Sequence, residues 1–171
     1  PAIFACVCSP NLTIALQRLS HFKKLVGPML LSVAVEQDKL CLAIEFYDVE
    51  CKVPTSLIMT ELVFFTQLAR ICTRSNIIPL AIYLPELPNH LEEYKEFFGI
   101  RPKKGNQVSI HFSRKDAEHP FLTSNAMMWS FFEPNLKQTL ANLEDGVGAS
   151  EKVKAILLES LPAGLSSIDM V

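Results

Sequence analysis

Glycine is scarce, with 6 among 171 residues, and no segment forms a phosphate loop or a dinucleotide-binding Gly motif. A nucleophile elbow, a Cys-x-x-Cys pair and a His-Glu-x-x-His motif are also missing, so the usual short signatures of catalysis are absent. An excess of one charge is lacking too: 16 Lys and Arg face 18 Asp and Glu, for a net charge of -2. Seven basic and six acidic residues fall in 1–85, and nine and twelve in the remainder. Neither part carries the basic surplus with which proteins neutralise nucleic-acid phosphates. Apolar stretches are broken by polar residues well before the roughly 18 consecutive apolar residues of a spanning helix. With 49% apolar residues, the chain can bury one sizeable core, and a soluble domain is expected.

Cysteine is present in odd number: Cys6, Cys8, Cys41, Cys51 and Cys72. A chain of this length does not need disulfide staples, so a reducing, cytoplasmic setting and small apolar packing roles are expected. Cys6 and Cys8 would share one face of a strand, but two thiols without a second Cys or His pair make a poor zinc site. No metal or cofactor is expected. The chain opens at Pro1 with no charged leader, which reads as a cut or processed start without a signal peptide.

The periodicity alternates strands with helices. Ala2 to Cys8 is an apolar, β-prone run, and Ser9-Pro10 can cap a helix carrying Leu12, Leu16, Leu19, Phe22 and Val26. Gly27-Pro28 stops that helix. Met29 to Glu36 and Leu40 to Val49 are strand-like around Gln37-Asp38-Lys39, as in a hairpin. Pro54 to Arg74 is a helical pattern apolar nearly all round, which predicts a buried central helix. Ile77 to Leu84 reads as a strand kept near an edge by Pro79. Asn89 and Glu92 form a capping-box-like start to a short helix ended by Gly99, and Gln107 to Ser113 alternates as a strand. Asn125 can cap a helix bearing Met127, Met128, Trp129, Phe131 and Phe132, which Pro134 should kink or restart. The fold class predicted is α+β: a mostly antiparallel sheet of about five strands packed with helices.

Residues 144–150 are the one polar, Gly-rich stretch. They suggest a regulatory domain over 1–145, a linker at 146–150, and over 151–171 the beginning of another domain: a capped helix to Leu161, then a helix start at Ser166.

Candidate site residues come from face assignment. Cys41, Ala43, Glu45 and Tyr47 share the face of the second strand opposite Leu40, Leu42, Ile44 and Phe46, and this mixture suits a wet surface or a pocket wall. His111 is the one histidine on a predicted strand face. Glu45, Tyr47, Tyr83 and His111 are therefore candidate ligand anchors between the sheet and the long helix. Arg101, Lys103 and Lys104 could attract an anion, although three charges on a loop are ordinarily solvated.

Two segments together resemble the AraC/XylS family of bacterial transcription regulators, in the branch with an N-terminal arabinose-binding-type domain. One is Ser9-Pro10-Asn11-Leu12-Thr13-Ile14-Ala15-Leu16-Gln17-Arg18-Leu19. The other runs from Tyr94 through Phe98-Gly99, Asn106, Val108, Ile110 and Phe112 to Pro120-Phe121-Leu122-Thr123-Ser124-Asn125. Val153 to Leu158 and Leu161 to Ser166 are similar to the opening of the family's DNA-binding domain. The resemblance implies a regulator whose N-terminal region senses a small molecule or dimerises and controls a C-terminal helix-turn-helix pair, with promoter DNA as partner and both recognition helices beyond Val171. The founding member's sensing domain is a cupin barrel, whereas the strand and helix pattern here predicts an open α+β sheet. Two other roles fit the residues: a ligand-free oligomerisation platform built on the apolar helices, and a small enzyme using Glu45, Tyr47 and His111 or a Cys41 nucleophile.

Overall fold

The computed structural model describes the backbone of residues 2–47 and 52–160, with side chains to Glu144 except that of Ala5. Strands β1 (Met29–Val35) and β2 (Lys39–Phe46) form the expected hairpin, joined through Glu36 N donating to Lys39 O at 2.8 Å. Three further strands, β3 (Ala81–Leu84), β4 (Lys103–Lys104) and β5 (Val108–Ser113), complete one sheet in the order β1-β2-β5-β3-β4. All pairings are antiparallel except β3 with β4. The protein is α+β, as its patterning predicts.

Register gives the sheet two unlike faces. Val33, Leu42, Ile110 and Ile82 lie side by side across four strands and point into the core. One residue along, Ala34, Cys41, His111 and Ala81 form the matching row on the opposite face, and beside them run Ser32, Ala43, Ser109 and Tyr83. The period of two makes this separation unavoidable once Leu40, Leu42 and Ile44 are buried.

Helices α2 (Leu12–Phe22) and α3 (Thr55–Thr73) supply the core facing the sheet, through Leu12, Leu16 and Leu19 and through Met59, Leu62, Phe65 and Cys72. Asn11, rather than Ser9, caps α2: its side-chain oxygen accepts from Ile14 N at 3.0 Å. The composition of α3 would suit a membrane span, yet its buried stripe belongs to this core. The helix is not buried all round as its sequence suggests, because Leu57 and Ile71 are 42% and 61% exposed. Beneath it, Lys23 is almost wholly buried, 2.9 Å from Glu61 and over the Phe65 ring at 5.8 Å.

Helix α4 (Leu91–Phe98) starts at His90 without a side-chain cap, one residue after the expected Asn89, and ends at Gly99 with φ +79°. A four-residue helix, α5 (Arg114–Ala117), follows β5, with Ser113 Oγ accepting from Asp116 N at 3.0 Å.

Several expectations need correction. Ala2 to Cys8 is not a strand: α1 (Ala2–Val7) is helical, and Ala2 and Cys6, four residues apart, are buried. Too short to reveal a period, this run follows its packing against α2 and the last helix instead of its β propensity. The strand expected over 77–84 begins only at Ala81, beyond Pro79, which cannot donate to the ladder. The last helix, α6 (Ala126–Ser160), runs unbroken through Pro134, with Leu136 and Leu140 docked beside Phe22 and Ala2. Its helical span also covers 146–150. The helix start expected at Ser166 lies outside the described residues.

Candidate functional site

A cleft of about 720 Å³ opens where β2 ends, β5 begins and α3 starts. Its floor includes Ile44, Phe46, Ile58 and Val108, and its polar walls include Ser32, Glu45, Lys52, Thr55, Glu86 and Gln107. Alternation along β2 explains how one strand serves floor and wall: Ile44 turns to the core while Glu45 turns to solvent. Lys52 donates a hydrogen bond to Glu86, tying the chain before α3 to the loop after β3. That bond, with the lysine charge behind it, holds the Glu86 carboxyl below the usual carboxylate range. Glu45 has no ion-pair partner among the described residues.

Of the candidate anchors, Glu45 alone lines this cleft. Strand β2 ends at Phe46, and Tyr47 lines a second groove of about 660 Å³ together with Lys24, Pro28, Leu143 and Glu144. Its backbone N donates to Pro28 O at 3.2 Å. Tyr83 and His111 are brought together on the sheet face opposite the core, their rings 5.5 Å apart. Gly105 permits this arrangement, since a Cβ there would meet Tyr83 Cβ at 2.9 Å.

His111 sits directly across from Cys41 in the ladder. Four positions separate Cys41 from Glu45, about 13 Å at strand rise, so Glu45 and His111 are far beyond hydrogen-bond reach. The Glu, Tyr and His constellation that an enzyme would need is not assembled. Burial lowers the His111 pKa, with Lys39 adding to the effect, and burial foremost raises that of Cys41, whose thiol donates to Glu36 at 3.4 Å. A neutral imidazole beside a protonated thiol is a poor nucleophilic pair. Burial pushes the Cys6 thiol up to about 12. No group of three metal-ligating side chains occurs among the described residues.

Lys52, Glu86, Ser32 and Gln107 escaped sequence reasoning. Ser32 is an ordinary outward residue of a hairpin, and the other three lie at or beyond the ends of their elements, where periodicity carries no signal.

The sheet is an open α+β arrangement backed on one face by helices, with a mixed polar and apolar cleft at its end. Residues 1–121 match the family described as the arabinose-binding domain of AraC transcription regulator, N-terminal, and the chain belongs to this family. Its fold is similar to that of the transcriptional regulator CdpR from Pseudomonas aeruginosa, with a TM-score of 0.57 and 16% identity over 74% of this chain. The chain spans 42% of that regulator's length. No curated protein matches the sequence.

Proposed function

We propose that this chain is the effector-sensing region of an AraC-type transcription regulator, in which a small molecule in the Glu45 cleft biases the placement of a helix-turn-helix domain carried elsewhere in the protein. The observation behind this reading is the position of the β2 terminus. Glu45 and Phe46 line the cleft, and the next residue, Tyr47, lines the groove closed by Leu143 and Glu144 of α6. A ligand that pulls on the end of β2 therefore reaches the helix leading away from the sensing region. Division into 1–145, 146–150 and 151–171 belongs to this proposal, as does action in the bacterial cytoplasm.

Sensing works by linkage: the ligand must favour one arrangement, and a coupling of about 1–3 kcal/mol shifts DNA occupancy roughly 5- to 150-fold. Promoter binding by the full-length regulator, titrated with candidate metabolites, tests it. A response abolished by substitutions at Glu45 supports the reading, and promoter binding indifferent to every metabolite that binds the domain overturns it.

A second role is favoured by a different observation. Phe4, Met127 and Phe131 are 57%, 83% and 75% exposed, and the Phe4, Phe132 and Phe131 rings follow one another at 5.6 and 5.5 Å. An apolar patch of this kind fits a second copy of the chain, giving a homodimer. Sedimentation of wild type against Phe131→Glu tests this: a shift from dimer to monomer is expected, and a wild-type monomer at all concentrations overturns it.

A further inference from the structure

We infer that the effector taken by the Glu45 cleft is an organic cation, an ammonium or guanidinium group on a short apolar stem. This deepens the proposed sensing role and rests on it. The polar walls carry two carboxylates, Glu45 and Glu86, and one ammonium, Lys52. Lys52 is already bonded to Glu86, so the charge left over is the Glu45 carboxylate, which is exposed at the cleft wall and has no cation beside it among the described residues. The accessible apolar surface of the cleft floor comes from the half-buried Phe46 and Ile58, with Ile44 and Val108 closing it beneath at 4% and 6% exposure. A cation whose charge meets Glu45 and whose stem covers that floor satisfies both halves of the cleft, and the Phe46 ring adds an aromatic surface to which cations are attracted.

Other ligand classes fit worse. An anion would meet Glu45 as a like charge and would find only Lys52, which it would have to share with Glu86. A neutral polyol could use Ser32, Thr55 and Gln107, but it would set hydroxyl groups against the apolar floor, where they lose water without a replacement. The volume, about 720 Å³, lies within the ordinary range for small-molecule sites.

Methyl-detected NMR titration of the full chain with pentylamine, 1-pentanol, pentanoate and L-arabinose tests the inference. Pentylamine is expected to move the Ile44, Ile58 and Val108 methyls saturably, with Glu45→Gln weakening it about tenfold while leaving the remaining spectrum unchanged. Glu45→Gln with Glu86→Gln leaves Lys52 as the sole charge on the wall and is expected to reverse the preference toward pentanoate. Saturable shifts of these methyls by pentanoate, pentanol or arabinose at equal or lower concentration in the wild type overturn the cationic class while sparing the cleft as a ligand site. If none of the four probes moves the methyls, both the cationic class and the sensing role of the cleft fail.

Discussion

Glu45 and Tyr47, two residues apart at the end of β2, line different cavities: Glu45 a cleft at the end of the sheet beside the start of α3, Tyr47 a groove against α6. Ideal alternation would put both on one face. The strand stops at Phe46, and the Tyr47 N–H donates one last bond in the same register, to Pro28 O at 3.2 Å, where α6 rather than α3 lies beside it.

Binding and response should therefore separate by mutation. Tyr47→Ala is expected to leave affinity for the cleft ligand within about twofold while most of the effector-dependent change in promoter binding disappears. Glu45→Gln should lower affinity itself by about tenfold, the loss of roughly 1.4 kcal/mol expected for one charge-assisted contact. Calorimetry on the sensing region beside promoter binding by the full-length regulator distinguishes the two, and equal losses for both variants would refute the separation.

Lys23 carries its charge into the core. It is 2% exposed, and Glu61, its partner at 2.9 Å, is 16% exposed. Removing the ammonium leaves a mostly buried carboxylate unpaired, so Lys23→Ala should cost about 3 kcal/mol in denaturant unfolding. Lys23→Met with Glu61→Leu should recover most of that loss, because an apolar pair of similar volume needs no desolvation.

Arg74 ends α3 in the left-handed region, φ 51°, and is the one non-glycine residue with positive φ among the described residues. That conformation costs an L-residue about 1 kcal/mol, and glycine occupies it freely. Arg74→Gly should raise the unfolding midpoint; a lower midpoint would show that the Arg74 side chain stabilises the helix end by more than its strain costs.

Gly105 makes the opposite case. Gly105→Ala would press a methyl against Tyr83 Cβ at 2.9 Å, and it should destabilise the domain by about 1–3 kcal/mol through overpacking. The His111 ring resonances should move with Tyr83, from which the imidazole centroid is 5.5 Å. Unchanged stability and resonances would mean that the β4 edge yields without strain.

His111 should also give stability a pH dependence. Burial lowers its folded pKa below the unfolded value, so the unfolded chain binds the proton more readily. The contribution is fully present above about pH 6.5, the ordinary histidine value, and is lost as pH falls through the folded pKa. Glu36, Glu86 and Glu133, whose pKa values are also lowered, act in a separate window below the carboxylate value of 4.5. His111→Gln should flatten the unfolding free energy between pH 6.5 and 5; a slope identical to wild type would assign that window to other groups.

Local patterning carried much of the fold. The alternation of Leu40, Leu42 and Ile44 against Cys41, Ala43 and Glu45 marked β2 and assigned both of its faces, because a pleated strand admits one inward set. The stripe Leu12, Leu16, Leu19 and Phe22 marked α2, Gly99 the stop of α4, and Asn125 the start of α6, where its side-chain oxygen accepts from Met128 N. The resemblance of Ser9 to Leu19 and of Tyr94 to Asn125 to the AraC/XylS pattern pointed to the family.

What local patterning could not decide is whatever depends on a partner distant in sequence. Ala2 to Val7 has the residues of a strand and is a helix, because its burial is supplied by α2 and α6. Strand order is equally invisible in the sequence: β5 inserts between β2 and β3, and this brings His111 to Tyr83 and away from Glu45. The cleft follows from the same cause. Ser32, Glu45, Lys52, Glu86 and Gln107 come from five separate stretches of chain, and only the packing at the end of the sheet makes them neighbours.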